Sequence, residues 1–207
     1  MIFQSFLGHK PSKFHVNPIV RAFIISETFF WGGINFLGPV FAIFIANEVS
    51  GGSIEAAGTA ATVYLLSRMV FELIAARSLN GASDDKKFVF AVVGILIVSI
   101  AYFGFVFASN ITWVLILQAL SGLGFGIVSP AKYVLFSEHL DKGKESTEWG
   151  VYDAVSMGGM ALTAMLGGYV AQEYGFNVLF VVAGFLILLG AMPFTLFVWA
   201  NRGIKKQ

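Results

Sequence analysis

The sequence predicts an all-α polytopic membrane protein, and three observations carry this prediction. Of the 207 residues, 57% are hydrophobic and only 12% are charged, which is about half the charged share of a soluble domain. The mean hydropathy of the chain is +0.80. Long apolar segments follow one another, each exceeding the roughly 20 residues that cross a bilayer as a helix. Because barrel strands are about 10 residues long and alternate in polarity, these continuous segments favour helices.

We predict six transmembrane helices joined by short connections. They cover about residues 19–46, 55–78, 88–108, 111–136, 147–171 and 177–200. Asn17 and Pro18 form a cap and a first-turn proline for the first helix, and Ser53 and Ser146 are candidate caps for the second and fifth. The remaining turn signals are Gly51-Gly52, Asn80-Gly81, Asn110, Lys142-Gly143 and Tyr174-Gly175.

The transmembrane domain is therefore expected over residues 19–201, with tails at residues 1–18 and 202–207. The first tail lacks the early positive charge, long apolar run and cleavage site of a signal peptide. A short interfacial helix and a disordered segment both remain open for it.

Lysine and arginine predict the orientation of the helices. Twelve of the 13 basic residues fall in the two tails, the second-to-third and fourth-to-fifth connections, or the adjoining helix ends. The three opposite connections contain Glu48, Glu55 and Glu173 and no basic residue. Both termini are therefore expected to be cytoplasmic.

Several functional classes are disfavoured by composition and motif. A net charge of +1 argues against nucleic-acid binding, which needs a basic patch. There is no cysteine, no HExxH, no GxSxG and no Walker loop, and His9, His15 and His139 do not have the spacing of metal ligands. We therefore expect no catalytic residue, no metal site, no cofactor and no enzyme activity.

An internal repeat divides the predicted domain into two three-helix units. Gly33 and Gly38-Pro39 in the first helix correspond to Gly124 and Ser129-Pro130 in the fourth. Ser53 and Glu55 correspond to Ser146 and Glu148, and the segment 90–94 corresponds to 180–184. Because the first and fourth helices run in opposite directions, the pattern indicates an inverted-topology repeat.

The segment from Gln118 through Gly122, Gly124 and Gly126 to Ser129-Pro130 resembles the fourth helix of one half of a major facilitator superfamily transporter. The glycines at 158–159 and 167–168, followed by Tyr174-Gly175-Phe176 and Phe180, resemble the fifth and sixth helices of such a half. The resemblance begins near residue 19 and is most specific over residues 115–185. It implies a single six-helix half, because family proteins usually carry two.

Two departures from the family pattern concern function. The loop between the second and third helices, residues 76–87, keeps acidic and basic residues but not their usual order. Gln118 stands where proton-coupled members commonly carry arginine, which weakens the implication of proton coupling.

Ionisable residues inside the predicted spans are the first candidates for substrate binding or gating, because each costs several kcal/mol in a bilayer. Glu27, Arg68 and Glu72 have similar predicted depths in the cytoplasmic half, and Arg68 and Glu72 are four residues apart on one helix face. We predict that Arg68 contacts Glu72 or Glu27. Two interpretations remain open: a structural ion network that joins the first two helices, or a pair that changes partner during transport.

Further candidates come from the cytoplasmic ends and from the first helix. Lys132 and Asp153 are predicted to pair across the fourth and fifth helices, as a gate or as a surface pair. Trp31 and Asn35, beside glycine and proline breaks, are candidates for a cavity wall. Gln118 and Tyr152 are weaker candidates for the same wall. For Gly122 with Gly126, and for Ala164 with Gly168, the spacing favours helix packing.

Together these features predict a secondary-transporter half that assembles, by preference as a homodimer, into a 12-helix alternating-access transporter for a small organic solute. A heteromeric partner half, a longer parent chain, and a non-transporting membrane scaffold or sensor are the alternatives.

Overall fold

The computed structural model describes residues 18–196, which are helical apart from short connections. The helices are α1 (Pro18–Leu37), α2 (Phe41–Glu48), α3 (Ile54–Leu79), α4 (Asp84–Gly104), α5 (Ile111–Glu138) and α6 (Glu145–Leu189). A 3-10 turn at Gly38–Val40 joins α1 to α2, and another at Phe105–Phe107 follows α4. Within the described residues, five segments are long and apolar enough to cross a membrane: Ile19–Glu48, Ile54–Leu79, Asp84–Phe107, Ile111–Glu138 and Glu145–Leu196.

The predicted fifth and sixth helices form one 52-residue segment in the structure. Gly175 interrupts it with a non-helical backbone, φ 81° and ψ 170°. We call residues 145–174 the first arm of α6 and residues 176–189 its second arm. The predicted turn at Tyr174-Gly175 is therefore a kink between two arms. Gly51, Gly81 and Gly143 also have positive φ, and each lies in a predicted turn.

The predicted helix caps are confirmed in one case and wrong in another. The Ser53 hydroxyl accepts a hydrogen bond from the Ala56 amide at 2.9 Å, as expected for an N-cap. Ser146 does not cap α6, because the amides of Thr147 and Glu148 both bond back to the Lys144 carbonyl and the helix begins at Glu145. Asn17, the tail alternatives and residues 202–207 lie outside the described residues.

Glycines set the closest helix crossings. α3 packs chiefly on α5, and α1 packs chiefly on α6. A β-carbon at Gly122 would overlap the Tyr64 carbonyl oxygen, and one at Gly126 would lie 2.7 Å from the Glu72 amide nitrogen. The predicted packing role of these two glycines of α5 is therefore confirmed, since α3 fits against them without room for a side chain.

The packing prediction for Ala164 and Gly168 is wrong for the glycine. A β-carbon at Gly168 would meet nothing within 4 Å, whereas one at Gly167 would overlap the carbonyl oxygen of Phe36. The rotation of α6 about its own axis thus turns Gly167 towards α1.

Candidate functional site

Arg68 and Glu72 form an ion pair in the middle of α3. The Arg68 Nε donates to Glu72 Oε2 at 3.1 Å, which confirms the predicted contact between these residues. The same guanidinium donates to the Tyr64 hydroxyl at 3.4 Å and to Ser129 Oγ of α5 at 3.3 Å. It also lies 5.4 Å from the centroid of the Phe125 ring, within cation–π range. Arg68 is therefore held by α3 and α5 together.

This ion pair borders an open surface depression of about 400 Å³, whose lining residues are Leu65, Arg68, Met69, Glu72 and Leu73. The Arg68 side chain is 24% exposed and the Glu72 side chain 35% exposed. Only 11% of the most apolar stretch of α3 is buried, against 39–44% for the other four candidate spans. The pair thus lies on the least covered helix.

A second charged cluster lies in the buried interior and joins three helices. Lys132 of α5 donates to Glu27 Oε1 of α1, and the Tyr152 hydroxyl of α6 donates to Glu27 Oε2 at 2.8 Å. The side chains of Lys132 and Glu27 are only 6% and 4% exposed. The Lys132 ammonium also lies 3.7 Å from the centroid of the Phe30 ring. We call Glu27, Lys132 and Tyr152 the buried triad.

The buried triad corrects two predicted pairings. Glu27 pairs with Lys132 and not with Arg68, because the Arg68 guanidinium is held by partners on its own helix and on α5. The interpretation of these charges as an ion network that joins the first two predicted helices is therefore wrong. Lys132 does not pair with Asp153, because Lys132 points into the core whereas Asp153 is exposed.

The two charged clusters meet on α5. Ser129, which accepts from Arg68, and Lys132 of the buried triad are one helical turn apart. Pro130 lies between them inside the helix, where it removes a backbone donor and favours a bend. A shift of this turn of α5 would therefore act on both clusters at once.

The uncharged candidates occupy different places. The Asn35 side chain donates to the Trp31 carbonyl at 3.0 Å within α1, and Trp31 packs 5.8 Å from Phe125. Gln118 borders a separate small cavity of about 120 Å³, together with Ile34, Leu37, Gly38, Phe41, Tyr102 and Phe105. Tyr152, a weaker sequence candidate, is a direct partner of Glu27.

Sequence reasoning missed two buried charges near the predicted cytoplasmic ends. Lys87 of α4 is only 5% exposed and bonds Glu138 of α5 at 2.5 Å and Asp84 at 3.3 Å. Glu148 is 2% exposed and accepts from the Asp141 amide at 2.8 Å, although its Oε1 has no hydrogen-bond partner. Both positions lie at or next to the start of a predicted helix, where charges are usually solvated, so no sequence signal distinguished them.

A bundle of apolar helices that encloses ion pairs defines a polytopic integral membrane protein. Residues 23–207 match the Major Facilitator Superfamily, and the chain belongs to this superfamily of transporters.

Curated relatives agree with this assignment. The chain is 25% identical over 181 residues to the proton-coupled antiporter flippase LtaA of Staphylococcus haemolyticus, which covers 82% of this chain and 43% of the relative. It is 25% identical over 179 residues to the multi-drug resistance efflux pump PmrA homolog of Lactococcus lactis, covering 83% and 44%. For the multi-drug resistance efflux pump PmrA of Streptococcus pneumoniae, identity is 27% over 164 residues, covering 77% and 39%. The chain thus spans less than half the length of these relatives.

Proposed function

We propose that the chain is one half of an alternating-access secondary transporter for a small organic solute, completed by a second six-helix half. Membership of the Major Facilitator Superfamily supports the class, a secondary transporter. The relatives are about twice as long as this chain, which supports the expectation of a second half. The role proposed for Glu27, Arg68, Glu72 and Lys132 is substrate binding or gating.

The observation that carries the proposal is the exposure of Arg68 and Glu72. At about 1.5 Å per residue, Arg68 lies about 16 Å and Glu72 about 10 Å from the carboxyl end of α3 at Leu79. Charged groups at such depth do not face lipid; they face protein or a water-filled cavity. The partly exposed pair therefore favours a second wall opposite α3, with water or substrate between the two walls.

Helix packing supports the inverted repeat within this half. Gly33 of α1 approaches the Ala183 carbonyl of the second arm, and a β-carbon there would lie 2.8 Å from that oxygen. Gly124 of α5 approaches the Gly94 carbonyl of α4 in the same way, at 2.9 Å. These equivalent contacts pair the first predicted helix with the sixth and the fourth with the third. If the two arms of α6 are separate spans, the half has six helices with both termini cytoplasmic.

A second copy of the chain is the simplest source of the second half. A closed two-fold dimer about an axis along the membrane normal would place the first and fourth spans of both copies around a central cavity. Trp31, Asn35 and Gln118 are the uncharged candidates for its wall. A separately encoded half, or the remainder of a longer chain, would complete the cavity equally well.

The names of the relatives favour an exported amphipathic or drug-like solute. One is named a proton-coupled antiporter flippase and two are named multi-drug resistance efflux pumps. Gln118 departs from the arginine usual in proton-coupled members, so any proton coupling in this chain would depend on other groups. Glu27, which is only 3% exposed, is one candidate.

The proposal is tested by a thermal-shift screen of the purified protein against solute classes, followed by uptake into proteoliposomes. A ligand that binds only the folded state raises the apparent stability by an amount that grows with the logarithm of its concentration above its Kd. A non-transporting scaffold or sensor predicts no solute-dependent stabilisation. It also predicts that Glu27 and Lys132 tolerate joint replacement by apolar residues without functional loss.

A further inference from the structure

A second cavity lies at the helix ends opposite the lysine-rich connections. It measures about 670 Å³, within the usual range for a small-molecule site. Twelve residues line it, among them Phe44, Glu48, Phe105, Phe107, Tyr174 and Phe176. It is separate from the depression beside Arg68 and shares no residue with it.

The cavity rim is fixed by backbone pairing between two connections. The Ser50 amide donates to the Ser109 carbonyl at 3.1 Å, and the Ile111 amide donates to the Ser50 carbonyl at 3.1 Å. These bonds tie the end of α2 to the start of α5, so Glu48 and Ser109 keep their places on the rim.

Five of the twelve residues that line this cavity are aromatic, one is acidic, and the other six are uncharged. Phe44 and Phe105 form a buried floor, and Phe44 packs 5.3 Å from Phe176. Phe107 is 81% exposed and Tyr174 is 62% exposed, so both rings offer free faces. Glu48 is the one charged residue of the lining, and among residues 18–196 no basic side chain pairs with it.

Helix ends add negative potential to the same place. α2 ends at Glu48, the 3-10 turn after α4 ends at Phe107, and the first arm of α6 ends at Tyr174. The last carbonyl groups of a helix carry partial negative charge, and cations are stabilised beside them. One helix start, that of the second arm at Phe176, opposes these three ends.

We propose that this cavity binds an ammonium group, either of a free organic cation or of a lipid headgroup. Aromatic ring faces attract quaternary and alkyl ammonium groups, and Glu48 supplies the opposite charge. An anion would meet a carboxylate and three helix carboxyl ends, and a neutral solute would gain nothing from them. The proposal rests on the geometry of this cavity and does not require transport, so a failure of the proposed function leaves it standing.

The test compares choline with its neutral carbon isostere, 3,3-dimethylbutan-1-ol, by ligand-observed NMR on the full chain in a non-ionic detergent. Choline is expected to bind at least tenfold more tightly than the isostere, since only choline gains the cation–π and carboxylate interactions. Glu48→Gln is expected to weaken choline binding about tenfold. The control, Glu55→Gln, removes an exposed glutamate outside the cavity and is expected to leave the affinity for choline unchanged.

A second experiment, with lipids, distinguishes the two sources of the ammonium group. Native mass spectrometry measures retention of phosphatidylcholine against phosphatidylglycerol with identical acyl chains. Retention of phosphatidylcholine that Glu48→Gln abolishes, without binding of free choline, assigns the site to a lipid headgroup. Equal binding of choline and its isostere would overturn the proposal. An absence of both choline binding and phosphatidylcholine preference in the wild-type protein would also overturn it. Equal effects of Glu48→Gln and Glu55→Gln, with both variants unfolding at the wild-type temperature, would overturn it as well.

Discussion

Lys132 donates to Glu27 across 105 positions of sequence, in a part of the bundle where both side chains are almost fully buried. Tyr152 bonds the second oxygen of the same carboxylate, so one acidic group joins α1, α5 and α6. A buried carboxylate with a charged and a neutral donor is satisfied only while both helices keep their present positions. A movement of α5 relative to α1 would separate the pair.

Removing Lys132 alone is expected to destabilise the protein strongly. Lys132→Met leaves Glu27 buried without its counter-charge, which costs about 3–5 kcal/mol of unfolding free energy. The double variant Glu27→Gln with Lys132→Met removes both charges, and Gln retains an acceptor for Tyr152, so most of the stability should return. The free energies of unfolding of the wild type, the two single variants and the double variant, measured in mixed micelles, form a double-mutant cycle. Additive losses from the two single substitutions would contradict a coupled pair.

Arg68→Ala is expected to abolish or strongly impair transport with a smaller loss of stability. Because Arg68 and Glu72 are partly exposed, their attraction is screened, and such pairs contribute about 1 kcal/mol or less. Arg77→Ala, at an exposed site in the last turn of the same helix, is the control. A large loss of stability, with transport restored by also neutralising Glu72, would identify Arg68 as a structural pin instead.

Gly167 and Gly168 form a matched pair for the contact between α1 and α6. Gly167→Ala places a methyl group against the Phe36 backbone and should destabilise by about 1–3 kcal/mol through overpacking. Gly168→Ala points into open space and should be neutral or slightly stabilising, since alanine favours a helix. The unfolding temperatures of the two variants in the same detergent are the measurement. A lower unfolding temperature for Gly168→Ala than for Gly167→Ala would refute the described rotation of α6.

Substitution of Gly175 tests the division of α6 into two arms. At φ 81° and ψ 170° the backbone is essentially restricted to glycine, and Gly175→Ala should cost about 1–3 kcal/mol although its side chain meets nothing within 4 Å. Gly158→Ala, in the first arm and equally free of neighbours, is the control and should not destabilise. Equal unfolding free energies for the two variants would mean that α6 is continuous through residue 175.

Local features were readable from the sequence because they depend on near neighbours. The positive φ of Gly51, Gly81, Gly143 and Gly175 follows from turn chemistry at the helix ends. The contact of Arg68 with Glu72 follows from their spacing on one helix. Both predictions needed only residues within one or two helical turns.

Contacts between helices were not readable in the same way. Nothing in the sequence indicated that the Lys132 side chain points into the core and reaches Glu27, since its predicted partner was the exposed Asp153. The choice between Gly167 and Gly168 depends on a rotation of about 100° about the α6 axis, which a small-residue pattern leaves undetermined. The burial of Lys87 and Glu148 likewise arises from neighbours distant in sequence.

We propose that this half functions only when a second half faces α3. The chain contains no cysteine, so single cysteines can be introduced without background. Leu73→Cys lies on the uncovered face of α3, and Ile100→Cys on α4, similarly exposed at 60%, is the control.

The decisive measurement is the mass of the solute-binding species in mild detergent, together with cross-linking of the two cysteine variants in membranes by a bis-maleimide long enough to span the cavity. A homodimer predicts a protein mass of about twice 22.4 kDa and cross-linking of Leu73→Cys but not of Ile100→Cys. A second hydrophobic chain that co-purifies would assign the facing half to a different subunit. A clean monomer that binds its solute with full affinity would contradict the need for a second half.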